Sequence, residues 1–352
     1  MKKLYLVAPL VMVLAVSGCT KPKPNYSDES EETSVNESQK ELIHVDSYVA
    51  DVSATAPIMV SGKYSGADVD YVVSSYPVIF QAKQQNTKLS VYSDVANLFG
   101  ERYQTEGFPQ AGLFMKASLL ETVPPTSINS FLKGVDESLT DLVSGGTQAI
   151  ANMNAYNSDV EEQKSYFGYP APVLRNVQAT NGMAFIERSK NPSLEEYRKF
   201  EEPLGISLSE NDVSSYYTSE IPTETEVAST LNFSVTVPMG APNAVFSKFA
   251  GSSNLTITSP ANVKAAFASK QADFIIFDSV NGVNLSKANQ GAYKLVRMIT
   301  FGNLYVVSTG HDENGQLDES DNIVGYGENL VPDLAFRAVY SKWKNIRRFS
   351  TQ

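Results

Sequence analysis

The chain carries few residues that could do covalent chemistry. It has two histidines, His44 and His311, and one cysteine, Cys19. His44 closes a polar run and His311 lies in the polar stretch Thr309-Gly310-His311-Asp312-Glu313-Asn314, so both read as solvated loop residues. A Ser–His nucleophile therefore has no evident base. Gly325-x-Gly327 lacks the third glycine of a dinucleotide fingerprint, and no P-loop is present. The acid-rich run His311–Asp321 offers oxygen ligands without the EF-hand spacing and reads as a solvated loop. No catalytic residue, metal or cofactor is expected, and the chain is read as a non-enzyme. The formal net charge of −11 argues against nucleic acid, which needs a basic footprint.

The ends set the compartment. Lys2 and Lys3 precede an apolar run, Leu4–Ala15, and then Val16-Ser17-Gly18-Cys19. That order fits a secretory signal over residues 1–18, too short to span a bilayer. The small pair before Cys19 resembles the lipobox of bacterial lipoproteins, which implies cleavage before Cys19, its lipidation, and an extracytoplasmic chain anchored to the cell membrane. With Cys19 so used, no disulfide or thiolate metal site remains. Residues 19–44 are acidic and lack any helical or strand period, as a tether would. Residues 208–231 look alike, with five acidic residues, nine Ser or Thr and no Lys or Arg, and read as a linker between blocks 45–207 and 232–352. The basic end Lys342–Phe349 reads as a surface helix end.

Both blocks alternate strand and helix patterns, which predicts an α/β fold with parallel strands. Strands are expected at Val45–Val49, Asp70–Val73, Lys88–Val95, Gly112–Leu120, Phe233–Pro238, Leu255–Thr258, Asp273–Phe277, around Phe301-Gly302 on both sides, and at Asn322–Gly327. Helices are expected near Thr55–Val60, from Thr126 through Val143, over Gln148–Phe167, after the Ser193-x-x-Glu196 capping box, after Ser259-Pro260, and from Pro332. One plan occurs twice: a helix, a Ser-x-Lys turn, an Asp-led apolar strand, a polar turn, a helix and a Lys-Leu strand, over residues 56–95 and 263–302. Two related α/β units would each present the C-terminal end of one strand, where ligands bind in open α/β sheets.

"VPMGAPNAVFSKF", "VKAAFASKQADFIIFDSVNGVNL", "YKLVRMITFGNLYVV", "IVGYGENLVPDLAFRAVY", "VDYVVSSYPVIFQAK", "GFPQAGLFMKASLL" and "APVLRNV" resemble segments of the substrate-binding lipoproteins of ABC importers, in the group related to nitrate/sulfonate/taurine and thiamine-precursor binders. The resemblance implies a two-lobe, periplasmic-binding-protein-like fold of type II. It implies a monomer that captures a small solute between its lobes by hinge closure and delivers it to an ABC permease. A lipid-anchored sensor without transport is the alternative. The segments stand in a different order from the family's, which implies a circular permutation. Lobes would then combine 232–308 with 112–205, and 321–352 with 45–108, hinged at two strand crossings near Asn303–Ser308 and Phe108–Phe114. The ligand-binding residues implied are Met239, Gly240, Ala241, Asn243, Asp278, Ser279, Asn281, Thr300, Phe301 and Asn303 from the first lobe. From the second they are Glu328, Asn329, Ser74, Ser75, Tyr76, Phe108 and Gln110. Turn-forming residues of these types are common in any loop, so geometry must select among them.

Overall fold

Short apolar runs become strands, and the helices follow the spacing of their buried faces. A computed structural model describes residues 43–191, 193–204, 221–311 and 315–340. The expected signal peptide, Cys19, most of the tether, residues 208–220 of the acidic stretch, 312–314 of the acid-rich loop and the basic end Lys342–Phe349 lie outside the described residues.

In chain order the strands are β1 (Ser47–Val49), β2 (Lys63–Tyr64), β3 (Ala67–Asp68), β4 (Tyr71–Ser74), β5 (Ser90–Asp94), β6 (Pro109–Lys116), β7 (Val235–Pro238), β8 (Leu255–Thr258), β9 (Phe274–Asp278), β10 (Tyr293–Phe301), β11 (Tyr305–Ser308) and β12 (Ile323–Tyr326). The α-helices are α1 (Thr55–Ser61), α2 (Val78–Lys83), α3 (Val95–Tyr103), α4 (Leu119–Thr122), α5 (Pro125–Val143), α6 (Thr147–Tyr156), α7 (Val160–Phe167), α8 (Ala171–Gln178), α9 (Leu194–Glu201), α10 (Pro260–Ala268), α11 (Ser279–Ala288) and α12 (Val331–Tyr340). Two 3₁₀ segments, Val52–Ala54 and Ala241–Phe249, also border the site described below. The chain is a mixed α/β protein.

Two five-stranded sheets carry the architecture. The first has the order β1-β12-β4-β11-β5 and the second β10-β6-β9-β7-β8. In the first, β12 pairs parallel with β1 and β4, while β11 runs antiparallel between β4 and β5. In the second, β7 pairs parallel with β8 and β9, while β6 runs antiparallel between β9 and β10. Each sheet therefore has four strands in one direction and one reversed. The all-parallel expectation is corrected on this point, and the physical reason is the crossing chain. The reversed strand of each sheet follows the last strand of the other: β5 leads through α3 to β6, and β10 leads to β11. Both crossings pass a glycine with positive φ, Gly107 (+131°) and Gly302 (+100°), and a side chain on Gly302 would collide with Ala96. Only glycine takes such a backbone without strain.

Both sheets draw strands from either side of the acidic stretch. β11 sits in the first sheet, so the expected boundary at 308 falls one strand late. The second sheet packs on α5, whose Ile128, Phe131, Leu132, Val135, Leu139 and Leu142 recur at helical spacing and are buried. The expected helix over Gln148–Phe167 is two, because Asp159 caps a fresh start by accepting from the N–H groups of Glu161 (2.8 Å) and Glu162 (3.2 Å). The expected strand Gly112–Leu120 begins earlier, at Pro109, and gives way to α4 at Leu119. Residues 221–231, expected as free linker, instead dock on α5. Lys133 Nζ donates to the carbonyls of Thr225 (2.5 Å) and Thr223 (3.1 Å), Ser130 Oγ donates to that of Glu226 (2.5 Å), and Leu231 is buried. The apolar residues Ile221 and Leu231 give that part a core to join.

Candidate ligand-binding site

The C-terminal ends of the parallel strands of the two sheets face one cavity of about 170 Å³. From the second sheet come the end of β7 and its turn (Pro238 to Pro242), the end of β9 (Ile276 to Asp278), Gln110 and Ala111 at the start of β6, and Thr300 on β10. From the first come Ala50 to Val52 after β1, Ser75 to Pro77 after β4, Tyr326 at the end of β12, and Gly327, Leu330 and Pro332 after it. Asn303, on the crossing between β10 and β11, completes it. Parallel strands in both sheets are what bring so many loop and helix starts to one place.

Asn303 is almost fully buried and ties the crossing to the turn after β4. Its Oδ1 accepts from the Tyr76 N–H (2.9 Å) and its Nδ2 donates to the Tyr76 carbonyl (2.7 Å). Its own carbonyl accepts from Ser75 Oγ (2.5 Å) and Gln110 Nε2 (3.3 Å). Ser75 Oγ also lies 2.5 Å from Tyr326 Oη. Burial pushes the Tyr326 phenol far above its ordinary value, with the Ser75 hydrogen bond pulling the other way. The Tyr76 ring meets Tyr305 edge-on at 5.1 Å.

Asp278 ends β9 and caps α11. Its Oδ1 accepts from the Asn281 N–H (2.8 Å) and Nδ2 (3.1 Å), and its Oδ2 accepts from the Val331 N–H (2.8 Å) at the start of α12. One carboxylate thus serves two helix starts, one beside each sheet. The cavity it lines leaves it some accessible surface, yet the surrounding protein strips enough water to push its carboxyl above the usual range. The hydrogen bonds from Asn281 and Val331 oppose that rise. Asp51 caps the 3₁₀ turn after β1, with Oδ1 accepting from the N–H groups of Ser53 (2.9 Å) and Ala54 (3.3 Å).

Of the residues singled out from sequence, Ser75, Tyr76, Gln110, Met239, Gly240, Ala241, Asp278, Thr300 and Asn303 line this cavity. The others lie off it. Ser74 is buried behind the turn, 2.7 Å from Thr55 Oγ1, because strand alternation turns it away from Ser75. Ser279 Oγ donates to the Pro109 carbonyl (3.0 Å), and Asn243 Nδ2 donates to the Phe167 carbonyl (2.6 Å). Asn281 Nδ2 donates to the Asn329 carbonyl (3.4 Å), while Glu328 and Asn329 are exposed. Phe108 packs in the core on Phe99, and Phe301 lines a separate hollow of about 500 Å³ on the crossing strands. Sequence reading did not place Asp51 or Tyr326 in the site. Asp51 follows the end of one recognised strand and Tyr326 closes another, so the strand-end rule could have found them.

Among the described residues no group of His, Cys, Asp and Glu is arranged to hold a metal, and no helix is long and apolar enough to cross a membrane. His44 lies 3.2 Å from Asp46 Oδ1, away from the cavity. Comparison with protein-family models, with curated proteins and with solved structures gives no match.

Proposed function

We propose that this chain is a solute receptor that captures a small molecule between two lobes, one built on each sheet. The observation that carries the reading is the cavity at the strand ends of both sheets, joined by two chain crossings. A ligand touching both walls favours whichever arrangement brings them together, and the crossings at Gly107 and Gly302 are the places to absorb the change. The walls suit binding: they are largely apolar, with Ser75, Gln110, Thr300 and Tyr326 as orienting groups. The strand plan of each sheet, four strands one way and one reversed strand supplied by the other half, supports the type II binding-protein architecture expected from the sequence.

The same reading takes the chain as circularly permuted. In the second sheet β7 runs through the 3₁₀ segment Ala241–Phe249 directly into β8. The matching pair in the first sheet, β12 with α12 and then β1, lies at opposite ends of the described chain and still pairs side by side. Exposed ends close together make such a rearrangement tolerable. With Cys19 lipidated, the receptor would stand outside the cell membrane and pass its solute to an ABC permease.

A thermal-shift screen of amino acids, amines, pyrimidines, sulfonates and nitrate tests the binding claim. Stabilisation by one class, abolished in Ala241→Trp, is expected. An equal response in the filled-cavity variant contradicts it. Mass spectrometry of the membrane-extracted protein tests the anchor, with a lipid mass on an N-terminal Cys19 peptide as the expected result.

A further inference from the structure

The cavity's charge selects the kind of solute. No Lys, Arg or His lines it, whereas two carboxylates do, Asp51 and Asp278. An anion would need either a cation or vacant N–H donors at helix starts. Most of those donors are already engaged by the protein's own acceptors. Asp51 takes the start of the 3₁₀ turn at Val52, and Asp278 takes the starts of α11 and α12. Asp333 Oδ2 accepts from the Asn329 N–H (2.8 Å) just before α12, and Ser259 caps α10. At the cavity two starts lack a side-chain cap: the 3₁₀ segment after Gly240, where Pro242 in the first turn brings no N–H, and the short helix α2 after Pro77, whose Ile79 N–H donates to the Ser75 carbonyl (3.3 Å). An oxyanion there would share a small space with two carboxylates and no counter-charge.

Resting on the receptor reading, we infer that the solute is an organic cation: an ammonium-type nitrogen held by Asp51 and Asp278, on a body that fills the apolar wall of Pro238, Ile276, Leu330 and Pro332. Asp51 Oδ2 has no protein partner among the described residues, and Asp278 Oδ2 retains a lone pair beyond its bond from the Val331 N–H. The phenol rings of Tyr76 and Tyr326 add aromatic surface that favours a cation over a neutral isostere. This choice sets the chain apart from a nitrate or sulfonate receptor, whose ligand has the opposite charge.

The test is thermal unfolding and calorimetric titration of the full protein with matched probes: benzylammonium, benzyl alcohol and benzoate, then butylammonium and butyrate, with nitrate and methanesulfonate. The ammonium member of each set is expected to bind most tightly. Asp51→Asn should weaken it about tenfold, the effect of losing one ion pair, while benzyl alcohol binding stays unchanged. Asp278→Asn gives the same contrast, and Asp51→Asn covers the case in which that variant fails to fold. Equal or tighter binding of benzoate, nitrate, methanesulfonate or benzyl alcohol overturns the charge inference and leaves the receptor reading standing. Silence from every charge class removes the receptor reading, and the inference with it.

Discussion

The two sheets repeat one strand plan but are furnished differently. β4 and β9 are their central strands, each buried and each ending at the cavity. The second sheet includes the two longest strands, β6 and β10, and carries the layer α5 to α8 on its core; the first has strands of three to five residues and no helix to match the length of α5. Their buried charges differ in the same sense. In the second sheet Arg297 reaches from β10 to Asp136 on α5 with two bonds, Nε–Oδ1 at 2.6 Å and Nη2–Oδ2 at 3.1 Å, tying sheet to helix layer. Beside the first, Arg337 and Asp333 pair within α12 at 2.8 Å, and Tyr48 Oη donates to the same carboxylate (2.5 Å). In one half the ion pair itself joins sheet to helix; in the other it lies within one helix and reaches the sheet only through Tyr48 on β1. The half with the local ion pair is also where β1 and β12, from opposite ends of the described chain, pair side by side.

Breaking the braces is the strongest way to test that contrast. Arg297→Met should cost about 3–5 kcal/mol, since Asp136 is left with Arg188 at 3.7 Å and the sheet loses its tie. Arg337→Met should cost only about 1–2 kcal/mol, because Asp333 keeps Tyr48 and the Asn329 N–H. Urea unfolding of both variants gives the comparison, and equal losses would refute it. Next in size is Asn303→Ala, which strips both backbone groups of Tyr76 of their partner and should cost about 2–3 kcal/mol. A loss under about half a kcal/mol would mean that the crossing is not what holds the two halves in register.

The smallest expected effect is a pH slope from Asp278. Its folded value lies above the unfolded one, so between the two the folded state binds more protons. Stability from this group therefore falls as pH rises through that window, and the penalty is relieved as pH falls below it. Asp278→Asn should remove the slope in a plot of Tm against pH. A slope of the same size in the variant would assign it to another group.

Much of this architecture was legible because it is local. Apolar runs such as Phe274–Phe277 are too short for helices, the spacing from Ile128 to Leu142 has a single helical face, and Ser259-Pro260 announces a helix start. The duplicated helix–strand–helix–strand plan recurs in the structure as α1-β4-α2-β5 and α10-β9-α11-β10. What stayed hidden is non-local. β11 reads like a continuation of β10, and only its pairing with β4 and β5 assigns it to the other sheet. The site divides along the same line. Met239, Ser75 and Asp278 follow strand ends and were legible, while Asp51 joins them because β1 pairs with β12 from the far end of the chain. Asn329 and Glu328 have the right chemistry for a ligand, but α12 begins so that its first turn faces Asp278 and leaves them on the surface.

The central claim is that both sheets hold one solute at their facing strand ends. Hydrogen–deuterium exchange, with and without a solute that raises Tm, tests it most directly. The account predicts slowed exchange together at Pro238–Pro242, Ser75–Pro77 and Gly327–Pro332, the cavity's edges on both sheets. Protection confined to one sheet, or centred on the separate hollow between α5 and α6 around Asp141 and Asn152, would contradict it.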